Sequence, residues 1–164
     1  MLCLCTLGLI PFFWVVVMYE YNCEVTRVVD GDTVDVIIDL GFDISYSSRV
    51  RLYGIDTPES RTRDKDEKAR GIMSKEFLKT WLEKGQVVIR TKKDKKGKFG
   101  RILGEMLVDD GTGIPPKINI NILMIEESLA VEYHGQSKDD IEAEHLVNRQ
   151  TLIDKGLFDP SPYE

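Results

Sequence analysis

Three cysteines and two histidines in 164 residues leave little material for a soft-metal site or a disulfide framework. The cysteine count is odd, and Cys3 and Cys5 fall inside an apolar leader, so no bridged scaffold is expected. No Cys/His metal spacing occurs, and neither His134 nor His145 has the partner pattern of a metal ligand or of Ser/His catalysis. Both histidines are expected to be surface or packing residues. Basic excess is also missing: the formal net charge of −6 argues against broad nonspecific wrapping of nucleic acid, which needs a basic surface. No internal repeat and no low-complexity tract is present.

The remaining composition, 30% charged and 42% hydrophobic, is that of a soluble globular chain long enough for one domain with one core. Its charge is unevenly spread. Arg90 to Arg101 holds seven basic residues and one acid, whereas Glu126 to Glu164 holds ten acids and three bases. A small basic site on an acidic body suits an enzyme that grips a few phosphates better than a coating protein. Residues 1–18 carry no charge, and as a helix they would reach roughly 27 Å. Three readings of this leader stand: a signal or membrane anchor lacking the usual positive n-region, a true start at Met18, or a buried N-terminal helix. The first implies a secreted or membrane-anchored protein, with membrane contact through residues 1–18 only. The second implies a cytoplasmic one. Residues 19–164 form the domain, and nothing points to an obligate oligomer, so a monomer is expected.

Alternation and β-branched content predict strands over 21–29, 33–40, 49–55, 86–91 and 102–108, with Cys23 a small buried side chain in the first. Asp30-Gly31-Asp32 reads as a tight turn in which glycine supplies backbone freedom, and Gly41 to Ser48 as a loop. In the third strand Arg49 and Arg51 face one way, Val50 and Leu52 the other. A charged loop over 60–70 leads into a helix whose apolar stripe is Ala69, Ile72, Met73, Phe77, Trp81 and Leu82, stopped by Gly85. Asn119 to Ser128 is a short helix, and Ser137-Lys138-Asp139-Asp140 starts a last one that ends at Lys155–Gly156.

Chemistry concentrates at two bends and one basic turn. Cleaving a phosphodiester requires opposing the negative charge of a five-coordinate transition state and positioning or deprotonating water. Asp32 after its glycine turn and Asp56 at a strand end offer two carboxylates to a hard ion such as calcium, and the Thr57 carbonyl offers a third oxygen. Pro58 stiffens that corner. Glu59 is placed to act as general base one water away. Arg51 and Arg101, on different strands, supply two guanidinium forks for one phosphate. Each piece alone is an ordinary turn or cap sequence; their joint occurrence in order is what a purely structural explanation fails to cover.

The run Val29-Asp30-Gly31-Asp32-Thr33-Val34, with Arg51-Leu52-Tyr53-Gly54-Ile55-Asp56-Thr57-Pro58-Glu59 and Lys98-Phe99-Gly100-Arg101, resembles the staphylococcal nuclease (thermonuclease) family over roughly residues 21 to 158. The resemblance implies an α+β, β-rich fold: a five-stranded OB-fold barrel with about three appended helices. It implies a calcium-dependent nuclease acting on DNA or RNA and leaving 3′-phosphate ends. Asp32, Asp56 and the Thr57 carbonyl would then ligate calcium, Glu59 would be the base, and Arg51 and Arg101 the phosphate clamp. Lys98, Phe99 and Tyr133 would contact substrate, with Asp30 a nearby supporting acid. Phe99 stands where the type member has tyrosine, and a second tyrosine near Tyr133 is missing. The alternative class is a non-catalytic OB-fold module that binds nucleic acid or protein. Such modules typically lose part of the carboxylate and arginine set, all of which is present here.

Overall fold

The computed structural model describes residues 19–92, 102–111 and 117–163. The leader at residues 1–18 and the basic turn with Lys98, Phe99 and Arg101 lie outside the described residues. In chain order the elements are β1 (Tyr19–Asp30), β2 (Thr33–Asp39), β3 (Ser45–Leu52), β4 (Ile55–Asp56) and α1 (Lys65–Leu82). There follow β5 (Gln86–Lys92), β6 (Ile102–Asp109), β7 (Ile118–Asn119), α2 (Ile120–Glu126), β8 (Val131–Glu132) and α3 (Lys138–Asp154).

The long β1 serves two neighbours: Tyr19–Asn22 pairs with β5 and Cys23–Asp30 with β2. Register shifts between Val25 and Arg27 and between Val28 and Asp30 bend it, as bulges do. Parallel pairing of β3 with β6 (Val50 with Ile102, Arg51 with Leu103, Leu52 with Gly104) closes the sheet. The result is a five-stranded mixed barrel carrying three helices, an α+β OB-fold arrangement. Alternate residues of the strands fill it: Val34, Val36, Ile38, Val50, Leu52, Ile89, Met106 and Val108. Leu78 and Leu82 of α1 and Ile120 and Met124 of α2 join the same core.

Several elements depart from the sequence expectation. β3 begins at Ser45, inside the expected loop, because Asp39 to Val36 of β2 pair residue by residue with Ser45 to Ser48; ladder hydrogen bonds override the weak strand preference of serine. Ile55 does not continue β3. Gly54, at φ +78, turns the chain, and Ile55–Asp56 pairs with β8 instead. In α1 the buried ridge is Arg70, Gly71, Ser74, Leu78 and Leu82, while Ile72, expected to pack, is 44% exposed. Phe77 and Trp81 pack on the core from partly buried positions. The helix starts earlier than expected, at Lys65, because the Asp64 side chain accepts from Asp66 N and Glu67 N. α2 is shorter than 119–128, with Asn119 as its cap. α3 matches: Ser137 accepts from Asp140 N and donates to its carboxylate, and Gly156 at φ +67 follows the last turn. Cys23 is half-buried, and burial pushes its thiol up to about 11.

The α1 ridge explains a glycine in a helix interior. A Cβ on Gly71 would stand 2.6 Å from Pro58 O and Ser60 N and 2.7 Å from Glu59 C. The helix therefore presses directly on the backbone that presents Glu59. Gly→Ala in an ordinary helix stabilises by about 1 kcal/mol. Here Gly71→Ala is expected instead to destabilise by about 1–3 kcal/mol in urea unfolding, because backbone must move. A gain in stability would contradict the close contact.

Candidate active site

Two bends far apart in sequence meet at one end of the barrel. The first, Asp30-Gly31-Asp32, joins β1 to β2; the second, Asp56-Thr57-Pro58, leaves β4. They meet through Gly31: a Cβ there would lie 2.8 Å from Thr57 Oγ1 and 3.0 Å from the Cβ atoms of Thr57 and Ser74. Gly31 does not adopt positive φ. Its requirement is close approach, and the expectation that this glycine serves backbone freedom is corrected accordingly. Thr57, Pro58 and Ser60 are buried, and the Ser74 hydroxyl lies 2.7 Å from Leu129 O, so the corner is held from behind by α1 and by the segment after α2.

Arg51, one face of β3, reaches both bends. Its Nη1 pairs with Asp32 Oδ2, and its Nη2 lies 2.7 Å from Asp56 Oδ1. The outer oxygens are held too. Thr33 Oγ1 donates to Asp32 Oδ1 at 2.8 Å, and His145 Nε2 lies 3.2 Å from Asp56 Oδ2. Asp32 is 5% exposed and depends on this pairing, since an uncompensated carboxylate so buried would be costly. Burial pushes the Asp56 carboxyl up, but His145 and Arg51 together outweigh it and hold the group below its ordinary value.

Glu59 follows the second bend as an exposed side chain between the buried Pro58 and Ser60, its N–H donating to Glu67 Oε1 at 3.3 Å. Burial first, then the negative charges of Asp30, Asp56 and Glu67, raise its carboxyl above the ordinary value. That places it within the electrostatic field of both bends. Tyr133, 40% exposed, follows β8, and its N–H donates to Gly54 O at 2.9 Å beside the strand that carries Asp56. Arg101, Lys98 and Phe99 lie outside the described residues, which resume at Ile102 opposite Val50, the neighbour of Arg51.

Three residues position the site in ways the sequence did not indicate. His145, 6% exposed on α3, is buried as a packing histidine would be, yet its partner is Asp56. A lone histidine 89 residues from that partner carries no local signal. Asn121 in α2 is buried; its Nδ2 donates to Tyr53 O at 2.9 Å and its Oδ1 accepts from Met106 N at 3.0 Å. It thereby pins the turn between Arg51 and Asp56 to β6. Its one sequence signal is a polar side chain within the apolar run Ile120 to Ile125. Ser74, which completes the wall behind Gly31, has none. His134 is exposed, its ring 6.0 Å from that of Tyr53.

The family described as staphylococcal nuclease homologue matches residues 49–152. An uncharacterized endonuclease of Escherichia coli is 30% identical over 159 residues, covering 95% of this chain and 91% of that protein. Micrococcal nuclease of Shigella flexneri is 31% identical over 88% of this chain and 78% of its own. Protein ParB of Escherichia coli is 32% identical over 73% of this chain, which spans 63% of that protein's length. The chain belongs to the family of staphylococcal nuclease homologues.

Proposed function

We infer that this protein is a calcium-dependent nuclease that hydrolyses phosphodiester bonds of DNA or RNA. The observation that carries the reading is the sharing of one guanidinium by Asp32 and Asp56. Carboxylates that bracket a single cationic group converge on a volume suited to a cation. Among the described residues no three of His, Cys, Asp and Glu gather into a metal-holding set. A cation at this corner would therefore combine the two carboxylates with backbone carbonyl oxygen, for which Thr57 is proposed, and water. All-oxygen ligation of that kind fits a hard ion such as calcium. When bound, calcium would supply Lewis-acid stabilisation of charge on the phosphate oxygens.

The protein's own groups do the rest. Glu59 accepts a proton from the attacking water, and its raised pKa brings it closer to neutral pH, where a general base works best. Arg51 offers a planar fork to the phosphate beside Asp56, and Arg101 is the proposed second clamp. The support for Arg101 is the register that starts β6 next to the strand position of Arg51. Lys98, Phe99 and Tyr133 are proposed substrate contacts; the placement of Tyr133 beside the β4–β8 pair supports its part.

Cleavage of single-stranded DNA by the full chain is expected to fall about a hundredfold or more when calcium is chelated, and by a similar factor in Glu59→Gln. Undiminished cutting in chelator would remove the metal from the mechanism. The pH profile gives a separate check. Glu59 works ionised, so kcat/KM should fall as pH drops through its raised value. Asp30→Asn removes a like charge, lowers that value and moves the acid limb to lower pH. A limb that stays in place or moves upward would count against Glu59 as the base.

A further inference from the structure

A cleft of about 400 Å³ opens directly beside the Glu59 corner. Val29 and Ser60 line it together with Arg27, Arg61, Lys68 and Lys75, against the single acid Glu76. Through Arg27, Lys75 and Glu76, which line both, it continues into a larger cleft of about 720 Å³ between β1 and α1 that reaches Gly85 and adds Lys79 together with the acids Glu24 and Glu83, so the excess of positive charge lies at the end beside Ser60. Arg61 Nη2 lies 3.5 Å from Val29 O, tying the loop after Glu59 to the floor of the groove. The β1 stretch from Cys23 to Val29 gives the whole groove a length of about 20 Å.

The cleft beside Ser60 is cationic on an acidic chain, with four basic residues against Glu76. The chain is acidic, with net charge −6. Arg51, Arg70, Arg90 and Arg149 form ion pairs with carboxylates, Arg70 and Arg149 sharing Asp66. Among the described residues Arg27, Arg61, Lys68 and Lys75 form no ion pair. Arg61, Lys68 and Lys75, with Arg27, whose charge also acts on Asp35 across the β1–β2 ladder, attract a polyanion at the end of the groove next to the Glu59 corner. Ile72, unexpectedly solvent-facing in α1, lies on the same wall and gives an apolar contact for a base or sugar. A cationic groove that follows the backbone, with contact surfaces for bases beside it, is what holds a single strand.

We propose that the groove between β1 and α1 is an extended subsite that holds single-stranded nucleic acid on one side of the scissile phosphate. Arg27, Arg61, Lys68 and Lys75 contact successive phosphates. Its length suits about four nucleotides, the low end of site sizes on OB-folds. The proposal rests on the nuclease reading, but the groove uses none of the proposed catalytic residues. It makes the enzyme prefer long strands over minimal substrates. Unpaired strands fit better than duplex, since a groove flanked by the barrel and α1 admits one backbone.

The test is the full-length Lys68→Glu/Lys75→Glu variant, with both positions outside the catalytic corner and unfolding midpoints checking the fold. Binding of a labelled strand of about twelve nucleotides is read by fluorescence anisotropy across salt concentrations, beside cleavage of a trinucleotide. Binding of the long strand is expected to weaken about tenfold or more, and the slope of log K against log salt to fall by about 1.4. Trinucleotide cleavage should be unchanged, and Lys68→Gln/Lys75→Gln should show a smaller loss in the same direction. Equal losses on short and long strands, an unaltered salt slope, or polyglutamate competing as well as DNA would each overturn the proposal. A wild-type chain that binds the long strand through these lysines but cuts nothing would sink the nuclease reading while upholding the groove.

Discussion

Everything at the candidate site depends on how closely Gly31 can approach Thr57. A single methyl group at residue 31 would collide with the threonine side chain at 2.8 Å and with Ser74 behind it. Without that contact the first bend would stand off from the second, and Asp32 and Asp56 would no longer share one guanidinium. A second close approach, Gly71 against the Pro58–Ser60 backbone, sets the depth at which α1 seats and therefore where Glu59 emerges. Two glycines, neither needed for positive φ, thus position three acids that lie on two separate segments of chain.

The barrel supplies the rigidity these contacts need. Arg51 sits on β3 between Thr33 of β2 and Leu103 of β6, so hydrogen-bonded strands flank its backbone on both sides. Leu52 N donates to Asp32 O at 2.8 Å and Tyr53 N to Gly104 O at 2.8 Å, tying the first bend and the end of β3 to one frame. Side chains from both later helices then reach in: Asn121 to the Tyr53 carbonyl and His145 to Asp56. A guanidinium and two carboxylates held this way need little reorganisation when charge develops beside them, which is where an electrostatic catalyst gains most.

Much of this was legible in the residues. Alternation located all five barrel strands, and the capping pattern at Ser137 located α3, because those signals are local. Asp32, Arg51 and Asp56 were legible as a set because their spacing in two motifs was unusual together. What failed to show was tertiary in origin. Ser45–Ser48 became strand through pairing with β2, and Ile55 left β3 through a turn at Gly54. Ile72 fell outside the core because the helix seats on Gly71 and Ser74, small residues that an apolar stripe does not flag. His145 and Asn121 contact the site from 89 and 68 residues away, a distance over which one sequence carries no pairing information.

The central claim is that Asp32 and Asp56 act as one cation site. Calorimetric titration of calcium into the full chain, into Asp32→Asn, into Asp56→Asn and into the double variant tests it most directly. Shared ligation predicts one binding event, with either single change removing about as much affinity as both together. Additive losses, or calcium binding that survives both substitutions, would contradict it.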